Sequence, residues 1–302
     1  RGNVSMLTLL HASDLHFGKP FNPQVAEIFK ATIRDVSPDV LVLSGDFTQR
    51  AKVQEYQAAR KFLDELPDIP VVVTPGNHDI PLYRVWERVL SPHRNYKKYI
   101  SPDLDTVTVV DDATVVALDT SAPYTAIVNG RLSDRQLLFA AEAFRRAPAG
   151  GLKVVVVHHH LMSAPDYESD QVLPGFRRCL EAFKKMGVEL ILGGHLHRAY
   201  VANSWDAYPA EVDGPGIILG HSGTTTSRRG RARERNKNSF NLIGVTGEQV
   251  SITHHLCDAE EGGFVPVATH AFPRRPRNGL ELGSANSRPG FVEEQRPDEE
   301  KI

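Results

Sequence analysis

The sequence predicts an α/β fold. Three observations predict it: short apolar runs rich in β-branched residues, amphipathic stretches of helical period between them, and a strand-rich ending after about residue 198. Continuous apolar runs this short fit strands buried on both faces.

In chain order, the first strand is expected over Leu7–Leu10, followed by a helix over Pro23–Val36 with Val25, Ile28, Phe29, Ile33 and Val36 on one face. A second strand, Val40–Leu43, leads to a helix over Val53–Leu66 carrying Tyr56, Phe62, Leu63 and Leu66. Val71–Val73 is the third strand, and the stretch around Tyr83–Leu90 has two readings: a short amphipathic helix with Trp86 in the core, or a cover, Pro81–Trp86, whose aromatic and basic residues stack on and pair with a bound ligand. Strand Val115–Leu118 precedes a helix whose start is marked by Ser133 with Gln136 three residues on, the capping-box pattern. Strand Val154–Val157, helix Gly175–Met186 and strand Leu190–Leu192 follow. Gly216–Leu219, Phe240–Val245 and Gln249–His255 read as strands, the last two joined as a hairpin through Thr246-Gly247-Glu248. This strand-rich ending predicts a second sheet packed on the first within one domain, residues 6–270. Residues 271–302 are rich in Pro, Gly, Arg and Glu and are expected to form a disordered tail.

The bulk properties set limits. A net charge of −2 gives no global attraction to nucleic acid or to an anionic membrane, so any polyanion would have to meet a local patch. The first thirty residues lack a long apolar run, so neither a signal peptide nor a membrane span is expected. The two cysteines, Cys179 and Cys257, form no disulfide framework and fit a cytoplasmic setting.

Five short motifs carry the chemistry, each just after an expected strand: Asp14-x-His16, Gly45-Asp46, Gly76-Asn77-His78-Asp79, His158 and Gly194-His195-x-His197. Ligands collect outside the carboxyl ends of strands in α/β sheets. In an extended segment residues two apart face the same way, so Asp14 and His16 can address one ion while Leu15 turns away. A carboxylate has two oxygens, so Asp46 can bridge two cations, and the amide oxygen of Asn77 is a neutral ligand. Taken singly each motif is an ordinary turn or a structural histidine. All five, in order and each after a strand, share a cause.

In these motifs the chain resembles the calcineurin-like metallophosphoesterase superfamily, whose pattern is D-x-H, GD, GNH[DE], H and GH-x-H. The resemblance covers about residues 6 to 255. It implies a four-layer α/β/β/α sandwich of two mixed sheets. It also implies two divalent metal ions, one held by Asp14, His16, Asp46 and His197, the other by Asp46, Asn77, His158 and His195. Within the run His158-His159-His160 the ligand is expected at His158, with His159 as the alternative. The oxygen and nitrogen donors suit Mn, Fe or Zn, with Mn²⁺ the expected activator. His78 would act near the scissile phosphate, as acid or as hydrogen-bond donor, and Asp79 would orient it.

The implied activity is hydrolysis of a phosphodiester by a hydroxide bridging the ions. The GNHD form and the compact length look most like bacterial class III cyclic-nucleotide phosphodiesterases, so the expected partner is a cyclic nucleotide or another small phosphoester. UDP-sugar hydrolases of the superfamily carry GNRD instead. A repair nuclease is the alternative, because such enzymes share the opening pattern seen from His11 to Gly18, and because the basic run Arg228–Lys237 could meet nucleic acid. That run otherwise reads as a solvated loop, preceded by a flexible loop at Gly223–Ser227. A metal-binding scaffold without turnover is the reading from another class; such members typically lose His78 or a ligand.

Overall fold

The computed structural model describes residues 6–125, 128–164, 171–207, 216–258 and 262–274. Among the described residues twelve strands form two six-stranded sheets. In the first half of the chain β1 (Leu7–Ala12), α1 (Pro23–Val36), β2 (Val40–Leu43), α2 (Val53–Asp64) and β3 (Val71–Val73) alternate, followed by α3 (Val85–Leu90) and α4 (Arg94–Tyr99). Then come β4 (Thr106–Val110), β5 (Ala113–Ala117), α5 (Asp134–Arg145), β6 (Lys153–Val156), α6 (Phe176–Met186) and β7 (Leu190–Gly193). The remainder is β8 (Tyr200–Asn203), α7 (Ser204–Ala207), β9 (Ile218–His221), β10 (Ser239–Val245), β11 (Gln249–Asp258) and β12 (Gly263–Pro273).

The four-layer α/β/β/α sandwich is visible in how the strands divide their side chains. Leu9, Val42, Val154 and Leu192 meet in the apolar layer between the sheets. Their neighbours Leu10 and Leu41 turn outward against Phe29 and Ile33 of α1 and Tyr56 of α2. Val155 and Ile191 turn outward against Phe144 of α5 and Phe183 of α6. Strands buried on both faces need no polar alternation, which is why they are legible as unbroken apolar runs. Local signals fix the helix ends. The Ser133 N–H donates to Gln136 Oε1 at 3.0 Å, one arm of the capping box at α5, and Gly187 ends α6 in the left-handed region at φ +77°.

The division into sheets differs from the expectation. Of the expected carboxyl-terminal strands only β9 joins the second sheet; β10 pairs antiparallel with β1 and β11 follows it, giving the order β12-β11-β10-β1-β2-β3. The second sheet, β4-β5-β6-β7-β9-β8, begins in mid-chain with β4. β4 is half exposed and alternates, and β8 lies at an edge, so neither has the continuous apolar run that marks a buried strand. β12 extends to Pro273, and the Arg274 guanidinium pairs with Glu189 at 2.8 Å, so the ordered chain passes the expected boundary at 271. The expected tail from 275 to 302 lies outside the described residues. No helix among the described residues is long and apolar enough to cross a membrane.

Candidate metal centre

The parallel strands of both sheets end at one edge of the sandwich, and all five motifs lie there. Asp14 and His16 follow β1, Asp46 follows β2, Asn77 and His78 follow β3, His158 follows β6, and His195 and His197 follow β7. The loops are stitched to each other. Asp14 N donates to Gly45 O at 3.1 Å and His16 N to Asp46 O at 2.9 Å, while His195 N donates to Asp14 Oδ2 at 2.9 Å across the two sheets.

One expectation about these loops is corrected. Asp14 and His16 do not face one way because the chain is extended there. Both have left-handed backbones, φ +53° and +51°, as do Asp46, His195 and His197. Five of the ten non-glycine residues with positive φ among the described residues are therefore in these motifs. Such conformations are costly for L-residues, though Asp and His bear them better than most, and they persist only where surroundings fix them. The segment Ser222–Ser227 does that fixing. It is buried, and Thr224 and Thr226 donate their hydroxyls to the carbonyls of Asp14 and Leu15 at 2.7 and 2.9 Å. The flexible loop expected over Gly223–Ser227 is thus a rigid brace, because each threonine hydroxyl has a backbone partner.

The donor atoms converge. His16 Nε2 lies 3.5 Å from both Asp14 Oδ1 and Asp46 Oδ2, and His197 Nε2 lies 3.3 Å from Asp14 Oδ1. One ligand atom each from Asp14, His16, Asp46 and His197 falls within 4.8 Å of all the others, and all four residues are buried. Beside them, His158 Nε2 is 3.5 Å from Asp46 Oδ2 and 3.1 Å from Asn77 Oδ1, and His195 Nδ1 is 2.9 Å from Asn77 Oδ1. Backbone carbonyls set the ring orientation. His158 Nδ1 donates to Ser44 O at 2.8 Å and His197 Nδ1 to Arg229 O at 3.1 Å, which turns each Nε2 toward the carboxylates. His159 instead places Nδ1 2.8 Å from Thr120 Oγ1.

This donor set fits divalent cations. Asp14 Oδ1 and Asp46 Oδ2 are buried without a hydrogen-bond partner, and they are the same oxygens that face the imidazoles. Burying carboxylate oxygens unpaired is expensive, and a cation between them removes the cost. Burial pushes the Asp46 carboxyl up, but His158 and His78 outweigh it and hold the group well below the usual carboxylate range. Burial likewise lowers His158, yet the Asp46 carboxylate raises it to about 9. The pair is poised to exchange that proton for a metal. Glycine makes the closeness workable at two points: a Cβ on Gly45 would stand 2.5 Å from His158 Nδ1, and one on Gly76 would collide with the Asp46 carboxylate.

Asp79 is a second correction. Its carboxylate accepts from the backbone N–H groups of Gly76, Phe47 and Thr48 at 3.0, 3.1 and 2.9 Å, so it ties the loops after β2 and β3 together. It does not orient the His78 ring, whose Nδ1 donates to Gln49 O at 2.9 Å. Burial, then the Asp46 charge, pushes the Asp79 carboxyl up to about 6.

Residues 7–199 match the calcineurin-like phosphoesterase family. The chain belongs to that family. It is 25% identical over 215 residues to a probable cyclic nucleotide phosphodiesterase of Synechococcus sp., a match covering 66% of this chain and 77% of the relative. Among solved structures it resembles PhoD, with TM-score 0.67 and 14% identity over 90% of this chain and 70% of that one. It also resembles a purple acid phosphatase of yellow lupin, with TM-score 0.60 and 13% identity over 90% of this chain; the chain spans 55% of the lupin enzyme's length. At these identities the structural likeness establishes the fold.

The site also holds a residue that the sequence pattern placed in a solvated run. Arg229 folds over the centre, with Nη1 donating to His78 Nε2 at 3.0 Å and to Gln49 Oε1 at 3.2 Å. Arg229 and Arg231 line a cavity of about 380 Å³ together with Asn77, His78, His195 and His197. A cluster of basic residues after a strand does not reveal which of them turns inward. The burial of the preceding Thr224–Ser227, pinned to the loop after β1, decides it.

Proposed function

We propose that this phosphoesterase is a dinuclear-metal phosphodiesterase acting on a cyclic nucleotide or another small phosphodiester. The observation that carries the reading is the cavity above the carboxylate–imidazole cluster. Among the described residues it is lined by three arginines, Arg50, Arg229 and Arg231, and by no carboxylate, so they attract an anion and leave it beside the donor atoms. In this reading Asp14, His16, Asp46 and His197 hold one ion and Asp46, Asn77, His158 and His195 the other. Bound there, the two ions would supply an activated water and neutralise charge developing on the phosphoryl oxygens.

The chain's own residues do the rest. The hydrogen bond from His78 Nδ1 to Gln49 O leaves Nε2 as an acceptor, and Nε2 fixes the Arg229 guanidinium. That guanidinium is set to donate its remaining N–H groups to the phosphoryl oxygens, which arginine binds strongly. His78 N donates to Asp46 Oδ1 at 2.8 Å, so the same residue steadies the bridging carboxylate. The cyclic nucleotide phosphodiesterase assignment of the Synechococcus relative supports the diester preference. A retained His78 and a complete donor set favour turnover over a scaffold role.

The test is a substrate panel: bis-p-nitrophenyl phosphate, p-nitrophenyl phosphate, 3′,5′- and 2′,3′-cyclic nucleotides, and single- and double-stranded DNA, each with Mn²⁺ and with chelator. Diester hydrolysis that includes a cyclic nucleotide and stops with chelator is expected. Hydrolysis of DNA alone would replace the reading with the nuclease, and Mn²⁺ binding without turnover would replace it with the scaffold.

A further inference from the structure

The helix after the GNHD motif does not do what its pattern predicts. Trp86 is 79% exposed, and α3 buries none of its residues. Two residues just before α3 nevertheless belong to the cavity: Leu82, 43% exposed, and Tyr83, 71% exposed, share its lining with His78 and Asn77. Val128 lies at the same mouth and is also exposed. A scattered exposed apolar residue needs no explanation, but a cluster at the entrance of a charged cavity does.

The segment is held in place. Ile80 is buried at its base, and the Arg84 guanidinium donates to the carbonyls of Arg50 and Ala51 at 3.2 and 2.8 Å. That anchors Leu82–Arg84 to the loop that follows Asp46. The Arg50 guanidinium then lies over the Tyr83 ring, 4.7 Å from its centroid. Cation and ring stiffen each other. The result is an aromatic platform, fixed in position yet largely uncovered, on the wall of a cavity whose floor is the donor cluster.

We propose that Tyr83, backed by Arg50, is a subsite for a planar aromatic ester group of the substrate, and that it selects aryl or nucleoside phosphodiesters over aliphatic ones such as glycerophosphodiesters. The inference rests on the phosphodiesterase reading for the phosphate but not for the ring. The phosphate is addressed by Arg229 and the donor cluster, while the ring partner stacks on Tyr83, so the two parts of the ligand meet separate side chains. Binding of this kind is uniform between ground and transition states, so its loss falls on KM and not on kcat.

The experiment is calorimetry on the Mn²⁺-loaded protein with two probes, adenosine monophosphate and inorganic phosphate, beside KM and kcat for 3′,5′-cyclic AMP and for a glycerophosphodiester. Adenosine monophosphate is expected to bind about tenfold tighter than phosphate, the scale of one base–aromatic stack. Tyr83→Ala should erase that margin and raise the cyclic AMP KM about tenfold, with phosphate binding, kcat and the glycerophosphodiester unaffected; Tyr83→Phe should keep the margin. The ring is exposed, so neither change threatens folding. Equal or absent binding of both probes, or a margin that survives Tyr83→Ala, overturns the subsite. A Tyr83-dependent margin in a protein that hydrolyses no diester would leave the subsite standing and remove the activity.

Discussion

The two sheets contribute different chemistry to one centre. The first brings both carboxylates, the amide and one imidazole, as Asp14, Asp46, Asn77 and His16; the second brings three imidazoles, His158, His195 and His197. Neither side alone assembles a complete donor set, so the centre exists only while the sheets stay in register. What holds them is an apolar layer, with direct bonds such as His195 N to Asp14 Oδ2 at its rim. The difference teaches that the convergence of these donors, and any metal chemistry built on it, depends on packing well below them.

The largest break comes from separating the two contributions directly. Gly45→Ala drives a Cβ against His158 and adds strain at φ +97°. Metal content should fall to one ion or fewer per chain and diesterase activity by about a hundredfold, the upper end of the cost of disturbing the support around a metal ligand. Elemental analysis and kinetics on the same preparation check this. Arg229→Met should lower kcat/KM by about ten- to a thousandfold, the range for a lost charge-stabilising donor, with two ions still bound. Metal loss in that variant would show that the guanidinium supports the centre instead of the substrate.

Below the centre, Leu192→Ala removes a fully buried side chain between the sheets. It should cost about 2–5 kcal/mol by denaturant unfolding. A sharper reading comes from metal affinity: if packing keeps the sheets in register, Mn²⁺ should bind more weakly although no ligand has changed.

The smallest effect concerns Asp119, at the carboxyl end of β5. Burial pushes its carboxyl up to about 7, and burial, then Lys97, pushes its neighbour His93 down to about 4. A raised carboxyl binds its proton more tightly in the folded state. Its contribution is therefore fully present below the ordinary value near 3.8 and is lost as pH rises through about 7. Asp119→Asn keeps the acceptor that serves Ser121 N at 2.8 Å. It should raise the unfolding free energy, and with it Tm, relative to the parent at pH 8 and not at pH 4, the free-energy difference growing by on the order of 1 kcal/mol per pH unit across that window.

The legible parts of the molecule were those where one residue type serves one need. Val40–Leu43 is buried throughout and Val71–Val73 is buried at Val72 and half-buried beside it, and the bounds of both follow from apolarity alone. Asp14, Asp46 and Asn77 stand after strands because donors must converge there. What escaped has a common physical cause: it depends on the direction a segment takes, not on its composition. Edge strands β4 and β8 carry weak patterns, the return of β10 to β1 is a long-range pairing, and left-handed turns at Asp14 and His195 leave no trace in residue type. Trp86 is apolar at helical spacing yet faces solvent, and Arg229 is one arginine of a run yet turns inward.

The central claim is that side chains from two sheets close on a pair of ions. The most direct measurement is metal stoichiometry after extensive dialysis, with anomalous scattering to place the ions, on the parent and on Asp46→Ala. Two ions flanking Asp46 in the parent, and at most one with no turnover in the variant, is the predicted result. Full diesterase turnover in Asp46→Ala, or ions sited away from Asp46 in the parent, would contradict it.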